Sequence, residues 1–464
     1  MKFGGTSVAD EKCIRQVVDI LEGHRAAGAE LAVVVSAMSG ITDQLLAIAE
    51  EVVDARDEPP VDTFIDALRT RHLRVLDHVA GDDGEEVREL IDARLDNLKN
   101  ILNAVHTLRE LTPRSRDYVI SFGERLSAII VSAALRSRGI RSVALDGCEA
   151  GLVTSDNHGA SRVLPESATH ILSRIEPLLP DTVPVIMGFM GCTKQGVLTT
   201  LGRSGSDYSA AVVGAAINAD EIWIWTDVDG VMTADPRIIH DARVLPSVSY
   251  LEAMELSYFG AKVLHPRSIE PAMQKDIPVR VKHTFNPSHP GSLVVQGEQR
   301  DQRVVKAISY IERVSLITIA GAQMIGRPGV AQGIFSALAG RDVNVMMISQ
   351  GSSEANISLI VDDDHLDRAL EALGDVQKAG LIRDVTHNRD VIAVAVVGSG
   401  MAGTPGISGR IFTALGRARI NVMMISQGSS EVNVSFVVRR EDGPAALRVL
   451  HDEFRLSEEC DDDA

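Results

Sequence analysis

Short apolar runs rich in β-branched residues alternate along the first half of the chain with segments of helical periodicity. The runs at 31–36 (LAVVVS), 184–189 (PVIMGF) and 222–226 (IWIWT) are typical of buried parallel strands, and 208–216 is predicted to be a helix. Within 61–109, leucines recur at mostly three- to five-residue spacing among charged residues, which predicts amphipathic helices inserted onto the first sheet. The pattern indicates an α/β fold in which helices sandwich an open sheet.

The second half of the chain contains an internal repeat. The nonapeptide MMISQGSSE at 346–354 recurs letter for letter at 423–431, and positions around it keep the same register without a gap. Each copy is predicted to form a strand, a helix, two strands and a second helix, which is most of a βαββαβ module. We therefore expect two small modules after a larger first domain.

The two copies differ at their ends. The first has room for a closing strand near 382–386, whereas the second ends in an acidic tail, and an unassigned alternating run at 304–311 precedes the first copy. We predict that this run completes the second module, so that the first module is inserted within the second. The predicted boundaries are 1–297 for the first domain, 298–312 for a linker with the completing strand, 313–387 for module 1 and 388–464 for module 2.

Composition narrows the class of protein. The 464 residues include 64 acidic side chains and 46 Lys or Arg, a formal charge of −18, which disfavours nucleic acid or an anionic membrane as partner. The four cysteines form no C-x-x-C pair, and no segment predicts a membrane span or a secretion signal. We expect a globular cytoplasmic enzyme or sensor. Its acidic surface is either an adaptation to a salty cytosol or that of an ordinary acidic enzyme.

Three glycine-containing segments carry residues suited to phosphate chemistry. KFGGTS at 2–7 places a lysine and two glycines where a strand meets a loop, so that backbone N–H groups and an ammonium can approach phosphate oxygens. TLGRSGSD at 200–207 adds an arginine fit for a carboxylate or phosphate, and TDVDGV at 226–231 follows a buried strand, where open α/β sheets bind ligands. Lys262 adds another cation. Each segment also has an ordinary reading, as a tight turn or with Asp207 as a helix N-cap.

A dinucleotide-like fingerprint, GSGMAG at 398–403, lies between a predicted strand and a predicted helix. The aligned residues of the other copy, GAQMIG at 321–326, lack the central glycine, and too few residues follow for a second catalytic domain. We therefore interpret these glycines as part of the module and not as a nucleotide site.

Together the motifs resemble those of the aspartokinases of the amino acid kinase superfamily, in which tandem ACT regulatory modules follow the kinase domain. The matching segments occur in family order along essentially the whole chain: KFGGTS, VVVSAMSGITD, SFGERLSA, GFMG, TTLGRSGSDYSA, WTDVDGV, ADPR, FGAKVLHPRSIEPA and the repeated ISQGSSE. The resemblance implies an amino-acid-kinase-like sheet followed by two ACT-like βαββαβ modules. It also implies ATP-dependent phosphorylation of the aspartate side-chain carboxylate to an acyl phosphate.

The resemblance further implies roles for individual residues. A carboxylate is already ionised at neutral pH, so catalysis rests on positioning and on neutralising the phosphoryl charge. The residues implied to contact ATP, which carries Mg²⁺ on its phosphates, are Lys2, Phe3, Gly4, Gly5, Ser206, Thr226, Asp227, Met232, Arg237 and Lys262. The implied catalytic residues are Lys2, Lys262 and Asp207, the last by orienting the lysines or engaging the Mg–nucleotide. The residues implied to bind aspartate are Ser36, Thr42, Glu124, Gly188, Phe189, Arg203, Ser204, Gly205 and Ser206. Of these, Glu124 takes the ammonium and Arg203 a carboxylate, and we expect no metal held by the protein itself.

Three positions depart from the family pattern. Met232 stands where the family usually has tyrosine, which questions a stacking or hydroxyl contact to the nucleotide, and Ser204 stands where glycine is usual. The lysine of KFGG is residue 2, too late for a full strand of ~5 residues, so we expect the native chain to begin further upstream.

ACT modules of this family bind a free amino acid, usually at an interface between modules. The implied effector residues are Met324, Gly326, Gly329, Asn344, Ile348, Ser349, Gln350 and Asn356. The expected effector is threonine or lysine, with threonine favoured because the chain most resembles archaeal monofunctional, threonine-sensitive members. We expect a homodimer or homotetramer formed through the modules. The alternatives are a catalytically inactive regulator that binds amino acids and a related kinase that acts on glutamate.

Overall fold

The computed structural model describes residues 1–56, 59–81, 84–260, 264–297, 303–321, 324–351 and 355–458. These residues form two compact units. The first unit contains 1–231, 246–250 and 264–297, and the second contains 232–245, 251–260 and the described residues from 303 onwards. The sequence placed all of 1–297 in the first domain, whereas two segments inside that range pack with the second unit.

An eight-stranded sheet forms the centre of the first unit. The strands of the unit are β1 (Lys2–Phe3), β2 (Val33–Val35), β3 (Ser142–Leu145), β4 (Val183–Met187), β5 (Met190–Cys192), β6 (Leu198–Thr200), β7 (Ile222–Thr226), β8 (Ser247–Ser249), β9 (Val279–His283) and β10 (Ser292–Val295). The sheet order is β3-β4-β2-β1-β7-β9-β10-β8, parallel except for the β9–β10 pair, while β5 and β6 form a separate antiparallel pair. The three runs predicted to be buried strands are thus confirmed as β2, β4 and β7.

Helices pack around this sheet. They are α1 (Glu11–Ala26), α2 (Ile41–Asp54), α3 (Val61–Val79), α4 (Gly84–Leu108), α5 (Pro113–Ile120), α6 (Phe122–Ser137), α7 (Ser167–Ile175), α8 (Gly205–Ala216), α9 (Tyr250–Tyr258) and α10 (Pro266–Gln274), of which α9 belongs to the second unit except for its first residue. Helices α3 and α4 pack against each other and confirm the predicted helical insertion. The stretch Pro113–Ser137 is long and apolar enough to cross a membrane, but 89% of its most apolar window is buried inside the structure, as in the core helix of a globular domain.

A six-stranded sheet forms the centre of the second unit. Its elements are β11 (Ala307–Ala320), α11 (Val330–Gly340), β12 (Met347–Gln350), β13 (Asn356–Asp362), α12 (Leu366–Lys378), β14 (Asp384–Val397), α13 (Ile407–Arg417), β15 (Met424–Gln427), β16 (Asn433–Arg439) and α14 (Gly443–Glu453). The sheet order is β12-β13-β11-β14-β16-β15. The two modules therefore share one continuous sheet.

The long strands β11 and β14 each serve both modules. The second half of β11 pairs with β13 of module 1. Its first half, from Ala307 to Ile311, pairs with the end of β14. This part of β14 also pairs with β16 of module 2. This pairing confirms that the run at 304–311 completes module 2. It does so as one half of a continuous strand and not as a separate element, because the chain passes from one half to the other through an irregularity between Ile311 and Val314.

Two segments from within 1–297 pack against the modules through buried polar contacts. Lys306 Nζ lies 3.2 Å from Glu252 Oε2 on α9, and the Ser399 N–H donates to Glu252 Oε1 at 2.7 Å. Both side chains of the ion pair are almost fully buried. In the segment 232–245, the Thr233 hydroxyl shares a 3.1 Å hydrogen bond with His451 Nε2 of α14. These contacts explain why the two segments belong to the second unit.

Candidate active site

The predicted site residues of the first unit gather at one edge of the eight-stranded sheet. Gly4 follows β1, Ser36 follows β2, Gly188 follows β4 and Thr226 ends β7. These four strands are neighbours and run parallel, so their carboxyl ends lie at the same edge, where open α/β sheets bind ligands. The fold therefore gathers segments that are far apart in the sequence.

An ion pair between Lys2 and Asp207 lies in this site. Lys2 Nζ is 2.6 Å from Asp207 Oδ1, and the two side chains are 9% and 16% exposed. Strand β1 positions Lys2 by pairing on both sides, and Asp207 lies in the first turn of α8, where the helix dipole favours a negative charge. Ser204 is the N-cap residue of α8, so the reading of Asp207 as the N-cap is wrong.

The two glycines after β1 differ in their surroundings. The N–H of Gly4 donates to Trp225 O at 3.2 Å, so this group is already engaged within the sheet edge. A Cβ atom on Gly5 would lie 3.0 Å from Ala37 O, which is closer than most side chains tolerate. Phe3 is fully buried and stacks on Trp225 with ring centroids 5.8 Å apart. Because the ring of Phe3 is part of the core, only the backbone of Phe3 can make the implied contact with ATP.

Glu124 is a buried acid with an unsatisfied oxygen. It lies in the first turn of α6 and is 4% exposed, and its Oε2 atom has no hydrogen-bond partner among the described residues. Burial raises the pKa of Glu124 to about 8, against the opposing effects of the Ala37 amide, its own amide and the charge of Lys2. Without a bound cation, Glu124 is therefore largely protonated at neutral pH. A cationic group placed beside it would favour the ionised carboxylate, so the site is suited to bind such a group.

Hydroxyl groups link the ends of three elements in the site. Ser36 Oγ and Ser206 Oγ are 2.8 Å apart, and Ser127 Oγ on α6 donates to Ser36 O at 2.6 Å. A Cβ atom on Gly188 would lie 2.7 Å from Ser206 Cβ, so the end of β4 approaches α8 closely only because residue 188 is glycine. These contacts place two hydroxyl groups next to each other. The sequence reasoning missed Ser127, although it lies within the SFGERLSA motif.

Phe189 and Ser204 both have backbone angles that favour glycine. Their φ angles are 70° and 53°, in the left-handed region, which costs about 1–3 kcal/mol for such residues and recurs at functional sites. The Phe189 N–H donates to Ser209 Oγ at 3.1 Å, and the ring packs so closely on Gly205 that a Cβ atom there would lie 2.7 Å away. The angle at Ser204 gives a physical reason for the glycine that is usual there.

The remaining predicted residues lie in several places. Thr42 is half-buried on α2, Arg203 is exposed ahead of α8, and Asp227 accepts a 3.1 Å hydrogen bond from the Thr226 hydroxyl. Met232 and Arg237 belong to the second unit, where Arg237 Nη2 lies 2.6 Å from Asp235 Oδ2. Lys262 lies outside the described residues.

The sequence and the structure match known proteins along nearly their whole length. The model of the amino acid kinase family matches residues 1–283, and that of the ACT domain matches 317–377 and 394–454. Aspartokinase 1 from Arabidopsis thaliana chloroplasts is 32% identical over 468 residues, covering 98% of this chain and 79% of that protein. The crystal structure of Escherichia coli aspartokinase III with aspartate and ADP superposes with a TM-score of 0.81 at 29% identity, covering 97% and 98% of the two chains.

The chain belongs to the aspartokinase family. The bifunctional aspartokinase/homoserine dehydrogenase 2 of Arabidopsis thaliana is 36% identical over 467 residues, and this chain spans half of its length. The α/β fold and the two ACT modules expected from the sequence are confirmed. The dinucleotide-like glycines have a structural explanation: a Cβ atom would lie 2.3 Å from Val304 O at Gly398 and 2.9 Å from Val304 Cα at Gly400.

Each ACT module of this aspartokinase-family chain has a hollow at the turn before its first helix. The hollow of module 1 has a volume of about 340 Å³ and includes Arg327 in its lining, together with four of the predicted effector residues, Met324, Gly326, Gly329 and Gln350. The other four, Asn344, Ile348, Ser349 and Asn356, do not line it. The hollow of module 2 is about 210 Å³, and the Gly403 N–H at its turn donates to Glu431 Oε2 at 2.7 Å.

Asp117 is a buried acid next to the candidate site that the sequence reasoning missed. It is 1% exposed on α5 and accepts hydrogen bonds from the Thr200 hydroxyl (2.5 Å), the Gly159 N–H (3.0 Å) and His158 Nδ1 (2.7 Å). These bonds hold the end of β6, which leads directly to Arg203. A single acid in a polar stretch such as PRSRDY gives no sequence signal that it is buried.

Proposed function

We propose that this chain catalyses the ATP-dependent phosphorylation of L-aspartate on its side-chain carboxylate, which yields 4-phospho-L-aspartate. The observation that carries the proposal is the buried, unsatisfied Glu124 carboxyl within electrostatic reach of the Lys2–Asp207 pair. Glu124 fits an amino acid ammonium, and Lys2 fits a phosphoryl group. The related E. coli aspartokinase III was crystallised with aspartate and ADP, which supports the same pair of ligands here.

In the proposed reaction, an oxygen of the aspartate side chain attacks the γ-phosphorus of ATP as the bond to the ADP oxygen breaks. The nucleophile is already a carboxylate at neutral pH, so no general base is required, and catalysis comes from positioning and charge neutralisation. Lys2 neutralises the transferred phosphoryl group, and Asp207 holds the Lys2 ammonium in place. Mg²⁺ enters with ATP. Among the described residues, no group of three or more His, Cys, Asp and Glu side chains is placed to hold a metal ion.

The functional groups of aspartate match the polar groups of the site. The ammonium binds Glu124 and lowers its pKa, because a positive charge nearby favours the ionised acid, so the carboxyl group releases its proton to solvent. The exposed guanidinium of Arg203 binds the α-carboxylate as a planar fork, and the hydroxyls of Ser36 and Ser206 fix the pose. Thr226 and Asp227 contact the nucleotide, together with Lys262.

The proposal includes regulation by an end product of the aspartate family of amino acids. The hollow of module 1 binds free threonine or lysine, with the backbone around Gly326 and Gly329 and the side chains of Arg327 and Gln350 offering polar contacts. E. coli aspartokinase III with lysine and aspartate is described as the T-state, and its structure superposes with a TM-score of 0.80 at 30% identity, covering 98% of each chain. We place the enzyme in the cytoplasm as a homodimer or homotetramer formed through its ACT modules.

A hydroxylamine trap tests the activity directly. The purified chain is incubated with MgATP, hydroxylamine and either L-aspartate or L-glutamate, and the hydroxamate is measured. We expect aspartyl hydroxamate to exceed glutamyl hydroxamate by at least about a hundredfold, because the pocket positions the shorter carboxylate for attack. Threonine and lysine are then titrated separately. Equal products from the two acids would contradict aspartate specificity, and no product from either would overturn the kinase activity.

A further inference from the structure

Two cysteines from separate segments of the first unit lie side by side. Cys148 is in the turn after β3, and Cys192 ends β5. The turn and the strand approach so closely that a Cβ atom on Gly147 would lie 2.1 Å from Met190 O, and only glycine fits there. The Cys192 N–H also donates to Leu152 O at 3.0 Å. Backbone contacts on both sides therefore hold the two cysteines together.

The two thiols share a hydrogen bond in which Cys148 donates to the Cys192 sulfur. This bond lowers the pKa of Cys192 and raises the pKa of Cys148. Burial and Asp146 oppose the lowering at Cys192, and the charge of Arg174, whose guanidinium donates to the Cys148 and Glu149 carbonyls, assists it. Cys192 is therefore the thiol that ionises first, and Cys148 stays protonated beside it.

We propose that Cys148 and Cys192 form a redox-responsive pair, which hydrogen peroxide converts to an intramolecular disulfide. The Cys192 thiolate attacks one peroxide oxygen, the O–O bond breaks, and Cys192 becomes a sulfenic acid as hydroxide leaves. The Cys148 sulfur then attacks the Cys192 sulfur and releases water, and the hydroxide combines with the proton first lost by Cys192. Two thiols are oxidised to one disulfide, and one peroxide is reduced to two waters.

Cys13 provides a contrast within the same unit. It is half-buried on α1, and its pKa is raised, mainly by burial and by its hydrogen bond with Asp10. Reactivity follows the thiolate fraction, the exposure of the sulfur and the presence of a resolving thiol. Cys192 is only 9% exposed, but its pKa is lowered and the half-buried Cys148 lies beside it as a resolving thiol, whereas the half-buried Cys13 has a raised pKa.

The disulfide acts on the turn that carries Phe189. Bond formation draws the two sulfurs from hydrogen-bond range to ~2.05 Å, so the turn after β3 or strand β5 must shift. Strand β5 begins directly after Phe189, whose left-handed backbone is held by a hydrogen bond to Ser209 Oγ. We expect this shift to weaken aspartate binding. This effect rests on the proposed function, whereas formation of the disulfide does not.

Peptide mapping tests the disulfide without reference to activity. The full chain carrying Cys460→Ser, a substitution outside the described residues, is treated with hydrogen peroxide, digested without reduction and analysed by mass spectrometry. We expect a cross-linked peptide pair that contains Cys148 and Cys192, which dithiothreitol separates. The Cys13→Ser control forms the same cross-link. In Cys148→Ser, a sulfenic-acid-trapping dione labels Cys192 instead. If both thiols remain free, or if Cys13 is labelled before Cys192, the proposal is wrong.

Steady-state kinetics test the effect on the site. We expect oxidation to raise the KM for aspartate roughly tenfold and to leave the KM for ATP unchanged, with full recovery in dithiothreitol. Cys192→Ser, which cannot form the bond, shows no change on oxidation. A cross-linked enzyme with an unchanged aspartate KM would contradict the effect on the Phe189 turn. If the chain has no kinase activity, peptide mapping still tests the formation of the disulfide.

Discussion

Among the residues that the structure describes, two lysine–carboxylate pairs have little solvent exposure, one in each unit. Lys2 and Asp207 lie 2.6 Å apart at the sheet edge of the first unit, and Lys306 and Glu252 lie 3.2 Å apart inside the second. The first pair is 9% and 16% exposed, whereas the second is 3% and 0% exposed. The chemical groups are nearly the same, but their surroundings differ.

The difference lies in what remains unsatisfied around each pair. Within reach of Lys2, the Oε2 atom of Glu124 is buried and has no hydrogen-bond partner among the described residues. In the second unit, Glu252 accepts the Ser399 N–H with its other carboxylate oxygen, so both of its oxygens are engaged. Buried polar groups are normally satisfied, and an exception indicates a place where a ligand completes the set. We therefore assign the first pair to the proposed binding site and infer that the second pair holds the fold together.

The largest expected effect is on catalysis by the first pair. Replacing Lys2 with methionine removes the cation that neutralises the phosphoryl group, so we expect kcat to fall by about a thousandfold or more. The thermal unfolding midpoint is expected to stay within a few degrees of wild type, because Asp207 stays partly exposed. Hydroxamate kinetics and thermal unfolding measure the two outcomes. A Lys2→Met variant with near-normal kcat would show that the first pair has no catalytic role.

Breaking the second pair is expected to affect stability. Lys306→Met leaves the Glu252 charge buried without this cation, which typically costs about 3–5 kcal/mol. Hydrogen exchange of the β14 amides reports the stability of the second unit without assuming two-state unfolding of the whole chain. The double variant Lys306→Met/Glu252→Gln is expected to recover part of the loss. Unchanged exchange rates in the single variant would show that the pair does not stabilise the fold.

Glu124, the unsatisfied acid within reach of the first pair, is expected to determine the affinity for aspartate. Glu124→Gln removes the charge that the ammonium needs, so we expect the KM for aspartate to rise about 10–100-fold and the KM for ATP to stay unchanged. Stability is expected to hold or increase at pH 7, since the neutral amide is buried without the proton that the acid must take up on folding. A lower unfolding midpoint with an unchanged KM would assign Glu124 a structural role.

The pH dependence of aspartate affinity follows from the ionisation of Glu124. The pKa of Glu124 is raised to about 8 by burial, so the ligand-free site holds its proton at pH 7 and loses it above pH 8. Aspartate binding at pH 7 should then release about one proton, and the affinity should rise with pH until it levels off above about 8. Calorimetry in two buffers of different ionisation enthalpy measures the released proton. No release, or affinity that falls between pH 6 and 8, would contradict this assignment.

The sequence predicted much of the architecture, for local reasons. The run at 222–226 became β7 without a shift, and the ends of the two repeats predicted the nested modules. The burial of Asp117 and the contact of Cys148 with Cys192 arise only when distant segments meet, so no local pattern announces them. The packing of α9 with the second unit was missed because the local sequence does not show that Glu252 is buried against Lys306, which is distant in the chain.

The smallest expected effect compares the two modules. Gln350 lines the hollow of module 1, and Gln427 lines the hollow of module 2 at the equivalent position of the repeat. We expect Gln350→Ala to weaken inhibition by threonine or lysine about threefold to tenfold through loss of one hydrogen bond, and Gln427→Ala to change it by less than about twofold. Inhibition curves at fixed aspartate measure both. The reverse order would place the effector in module 2.

Isotope transfer tests the central claim most directly. The chain is incubated with MgATP, hydroxylamine and L-aspartate carrying ¹⁸O in its side-chain carboxylate, and the released phosphate is analysed by mass spectrometry. If the carboxylate attacks phosphorus and hydroxylamine then attacks the acyl carbon, the bridging oxygen leaves with the phosphate. We predict about one ¹⁸O atom per phosphate above the water-only background. Phosphate formed without ¹⁸O would show that the aspartate carboxylate is not the nucleophile.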